Sequence, residues 1–458
     1  MRMPFDPRGL ADFARYHGFH YAVCDPVSLV KDIVVEMDRG LCGDSSCLAM
    51  LPSYIAPVTR TPRGRMVIAL DAGGTNLRAA RIRFDENGKA VEEDARKAHM
   101  PGTKGQVSAE RFFAEIADVV QPLFSGKEKP EGIGFCFSYP METLENADGR
   151  LLAFSKEVDA PDVIGKLIGK GLADELTKRG ASLPDRLVML NDTTAALLAG
   201  LAEIPADGGL SQNKSAGQKT VPDDAPGGPA IGFILGTGMN VAYPESRIPK
   251  IGFDNAAAPQ VVVCESGNFK TRYLGRLDEA FDAGLKNPGA YTFEKTMSGA
   301  YLGGLVLFML KRALADGVLN LDGAEALAAL PGLPTKDVTS FMRAPFSGEG
   351  ALGSIMVNES RDAISAVTFL CSILIERAAL FSAAAVAAAA ERTAGGYDPL
   401  SPVRVAVEGT TFMVVRGLRP AFEAYLHQML SQKAPRRVIV SPVEQASLFG
   451  AAVAALVG

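Results

Sequence analysis

Two glycine-containing turns, each between a pair of strand-like segments, constrain the fold of this chain more than any other feature. The first turn, AGGTN, joins residues 66–71 (MVIALD) to 77–84 (LRAARIRF), and the second, GTG, joins 230–235 (AIGFIL) to 239–243 (MNVAY). Dinucleotide-binding folds instead lead from a strand directly into a helix. The two hairpins therefore predict an α/β protein in which each half of the chain opens with a β-meander.

Further segments complete this α/β pattern, since short apolar runs alternate with stretches of helical spacing. Additional strands are predicted at 89–93, 131–138, 186–191, 261–264 and 403–407. Helices are predicted at 26–48, 109–124, 160–178, 193–202, 291–316, 358–392, 416–431 and 444–456.

Length and composition indicate a globular protein that acts on small molecules. The 458 residues correspond to two or three domains at roughly 150 residues each. Apolar residues make up 47% of the chain, which excludes disorder of the whole chain. The net charge of −5 and the scattered Lys and Arg residues argue against a nucleic-acid partner.

The positions of cysteine, histidine and apolar residues limit which metal cofactors and which cellular compartment we expect. The six cysteines form no C-x-x-C pair and the four histidines no H-x-x-x-H pair, which argues against zinc and His-based metal catalysis. The N-terminal residues lack the apolar core of a signal peptide. The alanine-rich stretch 378–390 is too short to span a bilayer and predicts a buried helix. We therefore expect a cytoplasmic protein with no membrane partner.

Two segments carry no predicted chemistry. Residues 204–229, rich in Gly, Pro, Asp and Ser, predict a flexible insertion loop. Gly348-x-Gly350-x-x-Gly353 matches the dinucleotide-binding pattern, but no strand is predicted before it, so the required context is missing.

The first turn, Asp71-Ala-Gly-Gly-Thr-Asn76, has the composition of an anion-binding loop. Adjacent glycines let a backbone approach a phosphate, and its N–H groups form an anion-binding concavity. Asp71 could hold Mg²⁺ through water, because hard cations prefer oxygen, and Arg78 could contact a phosphate. A tight hairpin with a capping aspartate is the alternative. The second turn, Gly236-Thr-Gly238, repeats the pattern, and two such loops in one chain strengthen the interpretation.

Polar groups also follow two further strands. Asp192, in Asn191-Asp-Thr-Thr194, is a candidate general base, because open α/β sheets bind ligands at their strand ends. It is also a plausible N-cap of the following helix, with the threonines beside it as alternative caps. Gly409, in Glu408-Gly-Thr-Thr411, would let a nucleotide approach, unless the segment is an ordinary strand-to-helix turn.

These motifs and several others occur in the order found in hexokinases. The ordered elements are DAGGTN with Arg78, FCFSYP at 135–140, LNDT at 190–193, ILGTGMN at 234–240, NPG-x₄-EK at 287–295, SG-x-YLG at 298–303 and EGT at 408–410. The segments SSCLAMLPSY at 45–54, RAAL at 377–380 and GAAV at 450–453 are also similar to family elements. The chain therefore resembles the hexokinase family from about residue 45 to its C-terminus.

The resemblance implies the actin-like ATPase (ribonuclease H-like) fold, an α/β architecture. Its two domains contain mixed five-stranded sheets, flanked by helices, around a central cleft. The small domain would comprise residues 63–190 plus 443–458, and the large domain residues 1–62 plus 191–442. The implied partners are a hexose and ATP, with Mg²⁺ as the cofactor, in a monomer or homodimer.

The resemblance also implies a reaction, the phosphorylation of a hexose, with glucose as the first candidate, at its 6-hydroxyl. Asp192 would be the general base, Lys156 would help neutralise charge during phosphoryl transfer, and Asp71 would hold the metal's water shell. The ATP-binding residues would be Asp71, Gly73, Gly74, Thr75, Asn76, Arg78, Gly236, Thr237, Gly409 and Thr410. The hexose-binding residues would be Ser138, Ser155, Lys156, Asn191, Asp192, Asn240, Glu265 and Glu294. For two of these an alternative stays open, because Glu294 could be a solvated helix charge and Ser138 a strand-end cap.

Three departures from the family pattern leave the choice of sugar open. T-K-G-F appears as Ser155-Lys156-Glu157-Val158, E-W-G as Glu265-Ser-Gly267, and D-G-[ST] as Glu408-Gly-Thr. The groups at the reaction centre are retained. The alternatives are therefore a kinase of the same superfamily that acts on another sugar, and a sugar-binding regulator with weak turnover.

Overall fold

The computed structural model describes residues 4–57, 62–125, 128–154, 158–202, 228, 230–432 and 434–457. The predicted loop at 204–229 lies outside the described residues apart from Gly228, and so do Ser155 and Lys156. The strands are β1 (Leu51–Pro52), β2 (Met66–Gly73), β3 (Asn76–Phe84), β4 (Ala90–His99), β5 (Ile133–Phe137), β6 (Met141–Thr143), β7 (Gly149–Leu151), β8 (Leu187–Leu190), β9 (Ala230–Leu235), β10 (Met239–Glu245), β11 (Arg247–Ile248), β12 (Phe253–Asp254), β13 (Gln260–Val263), β14 (Val403–Glu408) and β15 (Val438–Pro442). The α-helices are α1 (Pro7–Tyr16), α2 (Pro26–Cys42), α3 (Ala109–Val120), α4 (Ile168–Lys178), α5 (Asp192–Ala202), α6 (Arg276–Ala283), α7 (Leu302–Ala315), α8 (Ala324–Ala329), α9 (Thr335–Arg343), α10 (Gly350–Met356), α11 (Arg361–Thr393), α12 (Thr410–Val414), α13 (Leu418–Leu430) and α14 (Ala446–Ala454).

The first predicted hairpin lies inside a five-stranded sheet in the order β4-β3-β2-β5-β8. Strands β2 and β3 pair antiparallel as far as Gly73 opposite Asn76, which confirms the hairpin around the first glycine turn. Strand β4 is antiparallel to β3, whereas β5 is parallel to β2 and β8 is parallel to β5. The third strand of the meander is longer than predicted, because β4 follows β3 for ten residues through a bulge.

The second hairpin lies in a six-stranded sheet in the order β1-β13-β10-β9-β14-β15. Its last five strands repeat the arrangement of the first sheet, with two antiparallel pairings followed by two parallel ones. The expectation of five strands is wrong for this sheet, because Leu51 and Pro52 add a short antiparallel edge strand beside β13. The two sheets use separate parts of the chain. On this basis we propose the division into a small domain (63–190 plus 443–458) and a large domain (1–62 plus 191–442).

Helices α5 and α14 connect the two sheets. They pack on each other, while α14 also contacts β2 and β5, and α5 contacts β9 and β14. A β-carbon on Gly450 of α14 would lie 2.0 Å from the carbonyl oxygen of Ala195 on α5. One on Gly134 of β5 would lie 1.8 Å from the carbonyl oxygen of Ala451. Glycine at these positions lets backbone lie directly on backbone, and one buried apolar cluster reaches both sheets.

The longest helix, α11, runs through the core of the six-stranded half. It is long and apolar enough, by length and composition, to cross a membrane, and 72% of its most apolar window is buried inside the fold. Residues 378–390 are buried throughout, which confirms the predicted buried helix. Arg377, at the start of this stretch, forms two 2.7 Å hydrogen bonds with the Asp278 carboxylate on α6. The helix is therefore apolar because the protein surrounds it.

Several helices begin or end at residues that apolar spacing did not indicate. Helix α2 ends at Cys42 rather than near 48, because Gly43 adopts a left-handed φ of +82°. Helix α4 begins at Ile168 rather than at 160. The predicted helix 291–316 is wrong in its first part, where turns and a short 3₁₀ segment precede α7. Spacing alone also missed α1, α6, α8, α9, α10 and α12.

Candidate active site

The first glycine turn borders a cavity of about 600 Å³. Gly74 has a φ of +33°, and the Tyr139 hydroxyl donates a 2.6 Å hydrogen bond to its carbonyl oxygen, which supports the turn from behind. The cavity is lined by Asp71, Gly73, Gly74, Thr75, Asn76, Leu77, Arg78, Lys97 and Ala98. All the ATP-binding residues predicted for this turn therefore share one cavity. Lys97 belongs to the same wall, although no sequence motif singled it out.

Arg78 links the first hairpin to the start of the C-terminal helix. Its guanidinium donates hydrogen bonds to the Glu92 carboxylate on β4 and to the side-chain oxygen of Gln445. Gln445 adopts a left-handed φ of +53° immediately before α14. Gln445 lies 367 residues away in the sequence, so no motif could have paired it with Arg78.

The second glycine turn is closed by residues from late in the chain. The Gly236 N–H donates to the Gly238 carbonyl oxygen at 3.0 Å, and the Thr411 hydroxyl donates to the Gly236 carbonyl oxygen at 2.8 Å. Gly409 adopts a φ of +134°, and a β-carbon there would lie 2.6 Å from the Gly236 nitrogen. Glu408-Gly-Thr is thus a strand-to-helix turn, between β14 and α12, whose glycine lies against the second turn. The four predicted residues Gly236, Thr237, Gly409 and Thr410 come together here.

The SG-x-YLG segment also packs against this turn, beside Thr411. The Gly299 N–H donates to the Gly236 carbonyl oxygen at 2.8 Å, and the Ala300 N–H donates to the Thr237 carbonyl oxygen at 3.2 Å. A β-carbon on Gly299 would lie 2.3 Å from the Thr411 hydroxyl oxygen. The sequence identified this segment only as part of a family pattern, and the structure shows that it supports the second turn.

Asn191, and not Asp192, caps helix α5. The Asn191 side-chain oxygen accepts a 2.8 Å hydrogen bond from the Thr194 N–H, in the geometry of an N-cap. The interpretation of Asp192 as the N-cap is therefore wrong. The Asp192 carboxylate instead accepts a 3.1 Å hydrogen bond from the Thr193 hydroxyl at the first turn of α5.

Three of the predicted hexose-binding side chains lie on segments that meet beside the second turn. The Asn240 side-chain nitrogen donates to the Glu265 carboxylate at 3.0 Å. Its side-chain oxygen accepts from the Ser266 N–H at 3.2 Å, so Asn240 is held from both ends. The Glu294 carboxylate accepts a 2.9 Å hydrogen bond from the Met239 N–H, next to Asn240. Burial raises the pKa of both Glu265 and Glu294.

The structure also decides between the alternatives for Glu294. It lies in the 3₁₀ segment Glu294–Thr296, is half-buried, and is hydrogen bonded to the neighbouring β-strand. The interpretation of Glu294 as a solvated helix charge is therefore wrong. Ser138 follows β5 directly, and its N–H donates to the Ala72 carbonyl oxygen at 3.0 Å. Both alternatives for the Ser138 hydroxyl stay open.

A group of carboxylates lies where the two sheets meet. Burial, followed by the negative charges of Asp192 and Asp71, raises the pKa of Glu408 to about 7. Burial, followed by the negative charges of Asp71, Asp192 and Glu408, raises the pKa of the Cys136 thiol well above its ordinary value. The charge of Asp192 also adds to the burial that raises the pKa of Glu265. Asp192 is therefore within electrostatic reach of Glu408 beside the second turn, of Cys136 on β5 and of the Asn240–Glu265 pair.

The residues at the first turn fit a magnesium ion that accompanies a bound phosphate. Mg²⁺ is usually held by one or two carboxylates together with phosphate oxygens and waters. Asp71 supplies a carboxylate in the cavity wall, and Glu408 adds negative charge nearby. Within the described ranges, no cluster of three or more His, Cys, Asp and Glu side chains forms a metal cage. The donor set suits an ion that is shared with a ligand.

Comparison with known proteins identifies the family. Two hexokinase family models match residues 18–202 and 230–457. Hexokinase-1 of Oryza sativa subsp. japonica is 30% identical over 448 residues, which cover 92% of this chain and 85% of that protein. A hexokinase from Schistosoma mansoni, solved with glucose, has a TM-score of 0.71 at 22% identity and covers 98% of this chain and 99% of its own. Another hexokinase crystal structure has a TM-score of 0.76 at 22% identity and covers 98% and 100%.

The structural likeness bears on the fold, and it confirms the predicted actin-like ATPase architecture. The family models together cover most of the chain, on both sides of the 204–229 segment. The chain therefore belongs to the hexokinase family, enzymes that transfer a phosphoryl group from ATP to a hexose.

Proposed function

We propose that this enzyme transfers the terminal phosphoryl group of ATP to the 6-hydroxyl of a hexose, with glucose as the first candidate and Asp192 as the general base. The observation that carries the proposal is that Asp192 begins helix α5, which packs on β9, β10, β13 and β14, the strands that carry both groups of residues. The charge of Asp192 also contributes to the raised pKa of Glu265 and of Glu408, which is next to Gly409. Glucose comes first because the Schistosoma mansoni hexokinase was solved with it.

The residues on the Glu265 side suit a polyhydroxylated ligand. Asn240, Glu265 and Glu294 offer two carboxylates and an amide within a half-buried group. Such groups accept hydrogen bonds from neighbouring hydroxyls, and the amide also donates. A site that pairs each hydroxyl rejects a sugar that lacks one, because a buried polar group would then stay unpaired. We therefore propose that this group sets hexose selectivity.

The residues on the Glu408 side suit the phosphates of ATP. Both turns combine glycines with hydroxyl side chains, and Arg78 adds a cation at the first turn. Phosphoryl transfer depends on positioning and charge neutralisation more than on covalent help from the protein. Mg²⁺, held by Asp71 through water, would neutralise charge on the triphosphate when bound.

In the proposed step, Asp192 accepts the proton of the sugar 6-hydroxyl as its oxygen attacks the γ-phosphorus. A bond forms between the sugar oxygen and the γ-phosphorus, and the bond from the γ-phosphorus to the bridging oxygen breaks. ADP leaves with that oxygen. Asn191 keeps the start of α5 fixed by capping it, so the Asp192 carboxylate is not needed for capping. Lys156 and Ser155, outside the described residues, stay predicted participants.

The test is coupled ADP release with Mg·ATP and a panel of glucose, mannose, fructose, glucosamine and N-acetylglucosamine. Asp192→Ala should reduce kcat by about 10²–10⁴-fold, the usual contribution of a general base. Its hexose affinity, measured by calorimetry, should change far less. Asp162→Asn, an exposed carboxylate outside the site, is the matched control and should retain wild-type turnover.

Other outcomes assign the protein differently. Hexose binding without ADP release in the wild type would indicate a sugar-binding regulator. Turnover on another sugar but not on glucose would indicate a kinase with altered selectivity. Asp192→Ala with more than a tenth of wild-type kcat would exclude Asp192 as the general base.

A further inference from the structure

Glu294, a predicted hexose-binding carboxylate, is followed in the chain by a buried lysine. Lys295 lies in the same 3₁₀ segment, and its side chain is 4% exposed. A 3₁₀ helix has about three residues per turn, so neighbouring side chains leave it in directions about 120° apart. Glu294 accordingly reaches the Met239 N–H, whereas Lys295 reaches Asp282 on α6.

The Lys295 ammonium ties three segments of the chain together. It forms an ion pair with the Asp282 carboxylate and donates a 2.6 Å hydrogen bond to the Asn287 carbonyl oxygen. The second oxygen of the Asp282 carboxylate accepts a 2.7 Å hydrogen bond from the Gly289 N–H. The end of α6, the NPG turn at 287–289 and the segment that carries Glu294 are therefore held by one buried ion pair.

Two glycines leave space beside Glu294. A β-carbon on Gly238 would lie 2.7 Å from its carboxylate, and one on Gly267 would lie 3.2 Å from its own β-carbon. The position of the Glu294 carboxylate therefore depends on how firmly its own segment is anchored. Phe293, buried in the core, anchors this segment on one side, and the ion pair of Lys295 anchors it on the other.

The charge of Lys295 also acts on Glu294. Burial raises the pKa of Glu294 and the nearby charge of Glu265 raises it further, whereas the Met239 N–H and the Lys295 ammonium lower it. A cation close to a carboxylate favours its ionised form. In that form both carboxylate oxygens accept hydrogen bonds, which is what sugar hydroxyls require.

We propose that Lys295, paired with Asp282, is a positioning residue for hexose binding, which holds the Glu294 carboxylate in place without touching the sugar. This inference rests on the proposed function, since it needs Glu294 to bind the hexose. The buried ammonium, already directed at α6, serves the site through its neighbour in the chain. Loss of the pair should therefore affect hexose binding and leave the KM for ATP unchanged.

The test compares two double variants of the full chain, each of which removes a buried ion pair anchored on α6. Lys295→Met with Asp282→Asn removes the proposed positioning pair. Arg377→Met with Asp278→Asn is the matched control, because it removes the pair whose cation lies on α11 rather than next to Glu294. Removing both partners leaves no uncompensated buried charge, so we expect both variants to fold.

We expect the Lys295/Asp282 variant to bind the best hexose of the five-sugar panel about tenfold more weakly, measured by calorimetry. The loss of one hydrogen bond to a charged group has an effect of this size. The KM for the hexose should rise in parallel, while the KM for ATP stays at its wild-type value. The Arg377/Asp278 variant should keep wild-type hexose affinity, although both variants should lose comparable thermal stability. Glu294→Gln, as the reference, should weaken hexose binding at least as much as the first variant does.

The other outcomes contradict the inference in recognisable ways. Wild-type hexose affinity in the Lys295/Asp282 variant, with weak binding by Glu294→Gln, would exclude the positioning role and leave the proposed function intact. Equal weakening in the two double variants, or a parallel rise in the KM for ATP, would show a general loss of structure instead. Unchanged binding by Glu294→Gln would remove Glu294 from the hexose site and the inference with it. If the wild type binds no hexose, the proposed function itself fails.

Discussion

The two halves of the molecule share a sheet topology but surround their glycine turns differently. In the first sheet the outer strand β4 is exposed or half-exposed along its whole length and carries charged residues. In the second sheet the equivalent strand β13 is buried at all four positions. The same order of strands is thus a surface hairpin in one half and a core hairpin in the other.

The two glycine turns differ in the same way, one open to solvent and the other enclosed. A β-carbon on Gly73, in the first turn, would meet no atom within 4 Å. A β-carbon on Gly409, against the second turn, would meet the backbone of Leu235 at 2.3 Å. The first turn is open and bordered by charged side chains, whereas the second is enclosed by packed backbone. We infer that neighbouring charges control the properties of the first turn, whereas close backbone packing fixes the conformation of the second.

The largest effect is expected from Gly409→Ala, which tests the enclosed turn. Alanine would have to adopt a φ of +134° and overlap the Leu235 and Gly236 backbone. Strain and overpacking together should lower the free energy of unfolding by about 4–6 kcal/mol. Urea unfolding measures the change. A loss below 1 kcal/mol would show that the turn is not tightly enclosed.

A similar contrast applies to the ion pairs of the two halves. Asp278 and Arg377 are buried in the large half, so Asp278→Ala would leave an uncompensated guanidinium in the core. The expected loss is about 3–5 kcal/mol. The matched control is Glu128→Ala, which removes the solvent-exposed pair with Arg83 of the first sheet and should cost far less, because water screens exposed ion pairs. Equal losses in the two variants would contradict the contrast.

Glu408, where the two halves meet, should make stability depend on pH. Its pKa in the folded state is about 7, above its ordinary value of 4.5, so the folded protein holds this proton more tightly than the unfolded chain. The resulting stabilisation is complete below about pH 4.5 and is lost as the pH rises through 7. Glu408→Gln should therefore gain stability relative to wild type as the pH rises through this range, on the order of 3 kcal/mol. A difference in unfolding free energy that is the same at low and high pH would contradict this assignment.

The smallest effect is expected from Gly73→Ala in the open turn. The new methyl group would meet no neighbouring atom, and Gly73 is not among the glycines with a left-handed φ. The free energy of unfolding should change by less than about 1 kcal/mol. A loss comparable to that of Gly409→Ala would remove the distinction between the open and the enclosed turn.

Much of the fold could be predicted because its signals are local. The alternation of apolar residues and the glycine turns predicted both hairpins, and the alanine-rich composition predicted a buried helix. Helix ends were predicted less well, because capping decides them: Gly43 ends α2. Two strands of the second sheet were missed: β15 (Val438–Pro442), and β1, whose two residues, Leu51 and Pro52, carry no strand periodicity of their own.

The candidate site likewise has residues that the sequence could name and residues that only the structure revealed. Sequence motifs named Asp71, Asp192 and the glycines, since each follows a predicted strand. They could not tell whether Asn191 or Asp192 caps α5, because both types are good N-caps and only the backbone geometry selects one. Lys97 was missed because it belongs to no motif and reaches the cavity through its strand register.

By itself the sequence determined most strands of the two large sheets, the two turns and the order of chemical groups along the chain, because periodicity and glycine act over a few residues. Only the tertiary structure decided which of these groups meet. Thr411 bonds to Gly236 across 175 residues, and Arg78 to Gln445 across 367. Asp192 lies near both Glu265 and Glu408 because α5 packs between the sheets. Such contacts depend on how distant segments pack, and no local pattern of residues encodes them.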